Sequence, residues 1–315
     1  MEIIQVLSAP PSGSHGMVLC IGKFDGLHVG HQALLRVARQ YADMDQLAVM
    51  SFAPHPLWAL KSDADFRHSL TPASERRRLL EQHGVARVYE VNFTKEYAQT
   101  SPQTFVLEHL ASLNLKRVVV GEGFNFGKGA HSTTQELIDL CKEIDVPVTV
   151  VPTINVNGRK VSSTDIRRHI QTGRVEAAQG LLGRAYTVTG KVVHGAGVGH
   201  ELGFPTANLG DIEEYVVPAS GVYEGIVEVH NGLPDGNEFW YALISAGYRP
   251  TVNGTSYEIE AYLLNYHGDL YGKVISVSFI HRARDEIKFS GIDALKIQMH
   301  QDEATSKHRF GIYEI

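Results

Sequence analysis

The stretch IGKFDGLHVGHQ, residues 21–32, decides how the first half of this chain is interpreted. It follows an apolar run, MVLCI at 17–21, and leads into the segment HQALLRVARQY at 31–41. These patterns predict a buried strand, a glycine-containing turn and an amphipathic helix. His28 and His31 then lie at the helix N-terminus, where unpaired N–H groups and the helix dipole favour an anion.

The spacing of the two histidines indicates phosphate chemistry. Residues three apart on a helix are neighbours, so both imidazoles can approach one phosphate. Gly22, Gly26 and Gly30 let the backbone come close to such a group. Zinc is not indicated, because no third or fourth ligand is suggested nearby. Taken alone, an H-x-x-H pair is more often a helix-capping histidine beside a surface histidine.

Size and composition predict a two-domain soluble protein. The chain has 315 residues, of which 43 % are apolar and 20 % charged, whereas a single core rarely grows past about 250–300 residues. The net charge is −6 without a basic stripe, so we expect no nucleic-acid partner. No run approaches the ~18 apolar residues of a membrane span, and the N-terminus does not resemble a signal peptide. Cys20 and Cys141 form no C-x-x-C pair and are expected to be buried free thiols of a cytoplasmic protein.

The first half alternates strand and helix patterns, which predicts an α/β, Rossmann-like parallel sheet with helices on both faces. Ligands of such sheets bind at the carboxyl ends of the strands. Thr71 and Pro72 are predicted as N-cap and first residue of one helix. The predicted strands are 17–21, 47–52, 87–91, 116–121 and 146–151, and the predicted helices are 31–41, 72–84, 102–113, 134–144, 164–172 and 175–182.

The second half is rich in strand patterns. From Tyr186 onward, five or six strands without intervening helices predict a small antiparallel barrel, followed by a helix at about 291–307. We place the domain boundary between residues 183 and 184.

Two further strings carry polar groups suited to nucleotides. VSSTDIR, 161–167, supplies hydroxyls that could simply cap a helix. GKVVHGAGVGHELGFPTANL, 190–209, combines a glycine-rich loop with two side-chain oxygens, on Thr206 and Asn208. These two residues share one face of an extended segment, and such oxygen ligands suit Mg²⁺. No G-x-x-x-x-G-K-[ST] string is present, which disfavours a P-loop.

The combination of these strings resembles known families. G-x-F-D-G-x-H-x-G-H with S-S-T-x-I-R is similar to the HxGH nucleotidyltransferase superfamily, and 190–209 resembles the riboflavin kinase signature. Further matches are ISAGYRPT at 244–251, EIEAYLLNYHGDLYGK at 258–273 and RDEIKF at 284–289. Nearly the whole chain is similar to the bacterial bifunctional riboflavin kinase/FAD synthetase family.

The resemblance implies two ATP-dependent reactions with Mg²⁺. Residues 184–315 would phosphorylate riboflavin to FMN, and residues 1–183 would join FMN to AMP, giving FAD and pyrophosphate. The partners implied are small molecules: ATP, riboflavin and FMN. The oligomeric state is left open, and a homo-oligomer is compatible with the sequence.

The resemblance also assigns site residues. Glu260 would be the kinase base, and His28 and His31 would stabilise the α-phosphate in adenylyl transfer. Glu260 also lies off the apolar face of its strand, since Ile259 and Ala261 alternate with it. The remaining implied residues are Gly22, Phe24, Ser163 and Arg167 for ATP in the first domain, Gly195, Gly199, Thr206 and Asn208 for ATP in the second, Thr206 and Asn208 for the metal, and Asn125 and Arg284 for the flavin.

Departures from the family pattern, among them the replacement of the usual glycine and polar residue near position 132, keep two alternatives open. Gly123 stands where Asp or Asn is common, Ala53 where Asp is common, and His200 where Arg is usual. A histidine that is neutral near pH 7 offers phosphates less positive charge than an arginine. The alternatives are a kinase-only paralogue with a degenerate first domain and a non-catalytic flavin-binding regulator.

Overall fold

The computed structural model describes residues 1–13, 16–195, 199, 202–232, 236–251 and 254–312. The chain forms two compact units, Met1–Ser163 and Thr164–Ile315. Two units agree with the expectation from length, although the division lies earlier than residue 183. The reason is that the connecting helices pack with the second unit: the N–H of Ala219 donates to the carbonyl of Ile170. The boundary between the two functional domains at residues 183 and 184 stays a prediction.

The first unit is a six-stranded parallel sheet flanked by helices, as predicted. The strand order is β1-β4-β3-β2-β5-β6. Its strands are β1 (Glu2–Val6), β2 (Met17–Ile21), β3 (Leu47–Ala53), β4 (Arg87–Asn92), β5 (Leu115–Gly121) and β6 (Val148–Val151), followed by the hairpin β7 (Asn155–Val156) and β8 (Arg159–Lys160). Its helices are α1 (Val29–Arg39), α2 (Pro56–Lys61), α3 (Ala73–Gln82) and α4 (Thr134–Glu143).

Several elements of this unit were not predicted, among them α2 and the hairpin of β7 and β8. Two further differences have a physical description. β1 was not predicted, because it is an edge strand in which only Val6 is buried and its apolar pattern is weak. The helix expected at 102–113 is a π-helix over Thr104–Leu110 followed by a 3-10 turn over Ala111–Leu113.

The apolar strand β2 is buried on both of its faces. Val18 and Cys20 pack in the cluster that contains Leu35 of α1, whereas Leu19 and Ile21 pack in the cluster on the other face of the sheet. Strands covered on both faces read as continuous apolar runs rather than alternating ones. This burial fixes where β2 ends and where the turn toward α1 begins.

The second unit is a closed antiparallel barrel with the strand order β10-β13-β12-β11-β14-β9. It confirms the predicted barrel and terminal helix. Its strands are β9 (Tyr186–Val193), β10 (Ala207–Gly210), β11 (Gly221–His230), β12 (Glu238–Thr251), β13 (Gly254–Leu263) and β14 (Val274–Arg284). The helices are α5 (Ser163–Gln171), α6 (Val175–Leu182) and the terminal α7 (Ile292–Phe310).

The two faces of β13 lie in different environments. Ile259, Ala261 and Leu263 are buried in the apolar interior. Because side chains alternate along a strand, Glu260 and Tyr262 face outward. The barrel interior is therefore a packed core, and any site that uses Glu260 lies on the outer surface of the barrel.

Thr71 does not cap α3, so that prediction was wrong. The N-cap is Pro72, which provides no side-chain hydrogen bond. The Thr71 hydroxyl instead accepts the N–H of Gly26 at 2.9 Å. A contact with the loop after β2 has thus replaced a local cap.

Candidate active sites

The loop between β2 and α1 has an unusual backbone. Gly22 donates its N–H to the carbonyl of Met50, which continues the sheet for one residue. Phe24 and Leu27 then adopt positive φ angles of 53° and 39°, and both side chains are buried. Non-glycine residues rarely adopt this region, and such strain concentrates at functional sites.

This loop is held from two sides by Asp25 and its neighbours. The Oδ1 atom of Asp25 accepts the N–H groups of Leu70 (2.9 Å) and Thr71 (3.2 Å). The Ser163 hydroxyl donates to the carbonyl of Asp25 at 2.8 Å. Asp25 is buried, so these bonds form out of water and hold the loop between α3 and the segment that begins α5. Sequence reasoning missed this role, although Asp25 stands inside the quoted string.

His28 and His31 form a stacked pair at the start of α1. His28 is the N-cap, and its Nδ1 accepts the N–H of His31 at 3.3 Å. The ring centroids are 3.7 Å apart with an interplanar angle of 16°. The Phe24 ring lies 5.0 Å from that of His31 on a tilted plane. The predicted neighbourhood of the two imidazoles is confirmed, and capping accompanies it rather than excluding it.

The environment of His31 favours a neutral ring. Burial lowers the pKa of His31 well below its usual value, and the nearby charges of His28 and Lys23 lower it further. Its Nδ1 is buried and finds no hydrogen-bond partner among the described residues. A buried ring nitrogen without a hydrogen-bond partner lowers the stability of the folded protein. A polar ligand bound at this position could supply the missing partner.

Gly30 packs closely against the imidazole of His28. A methyl group at position 30 would lie 3.0 Å from Cε1 and 3.1 Å from Nδ1 of His28. Those distances are tighter than ordinary van der Waals contact, so the imidazole would have to shift by a few tenths of an ångström to admit a larger residue. The glycine of the H-x-G-H string therefore makes room for the first histidine.

The other predicted residues of the first site lie on different elements. Asn125 is exposed on the loop after β5. A methyl group at Gly123, on the same loop, would lie 3.2 Å from Nζ of Lys160, which is tighter than ordinary van der Waals contact. The ammonium group of Lys160 thus lies next to position 123. Arg167 is buried on α5 and belongs to the second unit.

The outer surface of the barrel carries a cavity of about 830 Å³. Of the residues predicted for the kinase site, five line it: Gly199, Thr206, Asn208, Glu260 and Arg284. The predicted Gly195 is not among the lining residues. Other lining residues that sequence reasoning did not single out include Ser245, Arg249 and Tyr262 from the barrel, and Leu295, Met299 and Asp302 from α7. The structure therefore brings together side chains from both ends of the second unit.

Glu260 is placed by the strand register. It stands opposite Asn208 of β10 on one side and opposite Ser245 of β12 on the other. Burial raises the pKa of Glu260, and the Glu258 charge adds to that effect. The Arg249 charge and a hydrogen bond with Thr206 act in the opposite direction.

Arg249 is anchored beside this carboxylate. Its guanidinium donates to Oγ of Ser245 at 3.0 Å and to Oε1 of Glu286 at 2.6 Å. Ser245 is the residue directly opposite Glu260, so the arginine folds back along β12 toward the acid. Arg249 belongs to the string quoted at 244–251, but the sequence did not indicate that its side chain points toward Glu260.

Two glycines of the glycine-rich string, Gly195 and Gly199, lie close to Asn208 and Thr206. A methyl group at Gly195 would collide with the side-chain amide of Asn208, and one at Gly199 would lie 2.5 Å from the carbonyl oxygen of Phe204. These glycines therefore admit the backbone next to the polar side chains. His200 lies outside the described residues.

The two halves of the chain match two families. The FAD synthetase family matches residues 11–165 and the riboflavin kinase family matches residues 182–310. A bifunctional riboflavin kinase/FMN adenylyltransferase from Escherichia coli (strain K12) is 36 % identical over 313 residues, covering 98 % of this chain and 97 % of its own. The chain belongs to the bifunctional riboflavin kinase/FMN adenylyltransferase family. The resemblance inferred from the motifs is confirmed.

Other comparisons extend over most of the chain. A protein named FAD synthetase from Listeria monocytogenes is 44 % identical over 246 residues, covering 75 % of this chain and 95 % of its own. A crystal structure named as a macrolide-efflux protein from Streptococcus pneumoniae matches with a TM-score of 0.87 and 32 % identity, over 98 % of this chain and 99 % of that one. Within the described ranges of our chain, no helix is long and apolar enough to cross a membrane.

Membership in the bifunctional riboflavin kinase/FMN adenylyltransferase family decides the activity. The chain is an enzyme of flavin cofactor biosynthesis with a riboflavin kinase domain and an FAD synthetase domain. Riboflavin, FMN and FAD are its substrates and products. Neither the kinase-only alternative nor the regulator gains support.

Proposed function

We propose that the cavity on the barrel is the riboflavin kinase site and that the stacked histidines are the centre of FMN adenylyl transfer. The observation that carries this proposal is the convergence of Thr206, Asn208 and Glu260 on one cavity wall. Phosphoryl and nucleotidyl transfer need positioning and neutralisation of charge more than covalent help. Both sites offer such groups, and we expect no covalent enzyme intermediate.

In the kinase reaction, Glu260 is the general base. Its carboxylate accepts the proton of the ribityl 5′-hydroxyl while the oxygen of that hydroxyl bonds to the γ-phosphorus of ATP. The bond from that phosphorus to the bridging oxygen breaks, and ADP leaves with the electron pair. Gly195 and Gly199 hold the loop near the phosphates. The seat of Glu260 between Asn208 and Ser245 supports this role, because it places the base beside the polar residues of the nucleotide loop.

Magnesium is proposed to arrive with ATP at Thr206 and Asn208. Their side-chain oxygens are hard donors, and Mg²⁺ commonly takes one or two protein ligands together with phosphate oxygens and water. In the described part of the chain, no cluster of three His, Cys, Asp or Glu residues could hold a metal by itself. The donor set therefore fits a metal shared with a nucleotide, which would neutralise charge on the phosphates.

In the adenylyl transfer, a phosphate oxygen of FMN attacks the α-phosphorus of ATP, and pyrophosphate leaves. His28 and His31 stabilise the charge that develops on the α-phosphate. Gly22 and Phe24 shape the loop, and Ser163 lies against it through its bond to Asp25. Arg167 is proposed to bind the phosphates.

The flavin is proposed to contact Arg284 in the kinase cavity and Asn125 in the first unit. The domains are proposed to be 1–183 and 184–315. We also propose a cytoplasmic location, which the two buried free cysteines favour. A homo-oligomer is compatible with this function, and no nucleic-acid or membrane partner is proposed.

Product analysis of two single variants tests these assignments. We would incubate the enzyme with Mg·ATP and either riboflavin or FMN and separate the products by liquid chromatography. Glu260→Gln should lose FMN formation from riboflavin and keep FAD formation from FMN. His28→Ala should do the reverse. A variant that loses both activities, or neither, contradicts the assignment of its residue.

A further inference from the structure

Several contacts between helix α7 and the barrel are polar, beside a stacking contact of Phe310 with Tyr241. Ile292 and Ile297 are exposed, although a surface helix ordinarily buries its apolar residues. On the inward side, Glu303 accepts the hydroxyl of Tyr262 at 3.1 Å, and the Ser306 hydroxyl donates to buried Glu224 at 2.7 Å. Polar contacts of this kind require defined partner positions, so the helix has a fixed register on the barrel.

A further contact joins Asp302 of α7 to Arg284 of β14. Nε of Arg284 donates to Oδ1 (3.2 Å) and Oδ2 (3.0 Å) of Asp302, and Nη2 donates to Oδ2 at 2.7 Å. The two side chains are only 19 % and 12 % exposed. Bidentate arginine–carboxylate pairs are stronger and more directional than single hydrogen bonds. The guanidinium plane is therefore held at one orientation.

This pairing leaves part of the guanidinium available to a ligand. A guanidinium has five N–H groups. Asp302 accepts the N–H of Nε and one N–H of Nη2. One N–H of Nη1 donates to the carbonyl of Asp285 at 2.9 Å. Two N–H groups remain, one on each terminal nitrogen, and Arg284 lines the cavity. They suit a ligand that carries carbonyl oxygen acceptors.

The same helix face supplies two apolar walls of that cavity. Leu295 and Met299 precede Asp302 by seven and three residues and line the cavity with it. Residues at these spacings share one face of a helix. Fixing Asp302 on Arg284 therefore also fixes the two apolar side chains that a flat aromatic ring would contact.

We propose that Asp302 is a positioning residue for riboflavin binding in the kinase site. Its bond to Arg284 sets the orientation of the guanidinium and fixes the position of α7 beside the cavity. The ligand it serves is the flat ring of the flavin with its carbonyl acceptors. The inference rests on the proposed flavin contact of Arg284 and adds the residue that orients that contact.

The test compares steady-state kinase kinetics of Asp302→Asn and Asp302→Glu at saturating Mg·ATP. Asp302→Asn should raise KM for riboflavin about tenfold, the size expected from losing a charge-assisted hydrogen bond, with kcat changed less than about twofold. Asp302→Glu should recover part of the loss because it restores the carboxylate. Asp293→Asn, an exposed acid on the first turn of α7, is the matched control and should behave as wild type. Unfolding followed at Trp240 reports whether the barrel is intact.

A double-mutant cycle with Arg284→Met separates this inference from the proposed function. Arg284→Met should itself raise KM, and Asp302→Asn should then add nothing in that background. If Arg284→Met raises KM while Asp302→Asn does not, the positioning role is wrong and the flavin contact stands. If Asp302→Asn raises KM equally in both backgrounds, it does not act through Arg284 and the inference is overturned. If Arg284→Met leaves KM unchanged, the proposed flavin contact itself is wrong.

Discussion

The backbone N–H of His31 donates to Nδ1 of His28 at 3.3 Å, and the two rings stack at 3.7 Å. One contact thus caps helix α1 and orients the first imidazole. When neutral, His28 must carry its proton on Nε2, because Nδ1 is the acceptor. The capping function and the proposed phosphate function are therefore coupled in one side chain.

Gly30→Ala should impair FAD synthesis selectively. The added methyl group would lie 3.0 Å from Cε1 of His28 and would shift the ring by a few tenths of an ångström. We expect FAD formation from FMN to fall at least tenfold, since small displacements at a reacting centre are costly. Riboflavin phosphorylation by the same protein is the internal control and should remain. Unchanged FAD synthesis would contradict the packing role of Gly30.

His31 should make the first unit less stable in mild acid. Its pKa is well below the usual value in the folded protein, so the folded state keeps the ring neutral while the unfolded chain takes up a proton below about pH 6.5. The unfolded state then binds more protons, and the free energy of unfolding falls as pH falls from about 6.5 toward the folded pKa. Above that window the contribution is fully present.

The measurement is denaturant unfolding between pH 8 and 5.5. The chain has two tryptophans, Trp58 and Trp240, and a Trp240→Phe background leaves Trp58 to report on the first unit. His31→Asn should flatten the decline of the unfolding free energy with falling pH. His131→Gln, which alters an exposed histidine of the same unit, should retain the decline. Equal slopes in all three proteins would refute the prediction.

Ser306→Ala should destabilise the second unit. The hydroxyl donates to Oε1 of Glu224, which is buried on β11. Removing the donor leaves a buried carboxylate oxygen without that bond, at a cost of about 1–3 kcal/mol. Thr305→Ala is the control, because that hydroxyl is exposed and bonds its own helix at Gln301. Trp240 fluorescence in a Trp58→Phe background measures both, and equal midpoints would contradict the role of Ser306.

Two glycines of the second unit should respond oppositely to alanine. A methyl group at Gly225 would collide with the backbone carbonyl of Ser278 on the neighbouring strand, so Gly225→Ala should cost about 3 kcal/mol or more. Gly180 lies inside α6 with open space around it, so Gly180→Ala should stabilise by about 0.5–1 kcal/mol. Chemical denaturation of the two variants measures their free energies of unfolding. A change of the same sign in both variants would contradict this packing.

Neither cysteine should react in the folded protein. Burial raises the pKa of the Cys20 thiol strongly and that of Cys141 to about 11, so little thiolate forms near neutral pH. A chromogenic disulfide reagent should label neither cysteine under native conditions and should label both cysteines in denaturant. Rapid native labelling would contradict the burial of these residues.

The sequence predicted the elements whose signal is local. The buried run of β2, the glycine turn and the stripe of α1 place the two histidines by periodicity alone. Glu260 was likewise set off the apolar face of β13 by simple alternation with Ile259 and Ala261. Such patterns depend only on the geometry of a single helix or strand, which every sequence with that pattern shares.

The tertiary structure decided the contacts between distant parts of the chain. Thr71 has the local signature of a cap, yet the loop carrying Gly26 takes its hydroxyl. Arg284 and Asp285 resemble ordinary surface charge in sequence, and only the packing of α7 gives the arginine a half-buried partner in Asp302. The physical reason is that a polar side chain can satisfy its hydrogen bonds with many partners equally well. Periodicity identifies the element on which it lies, and only the packing of elements selects the partner.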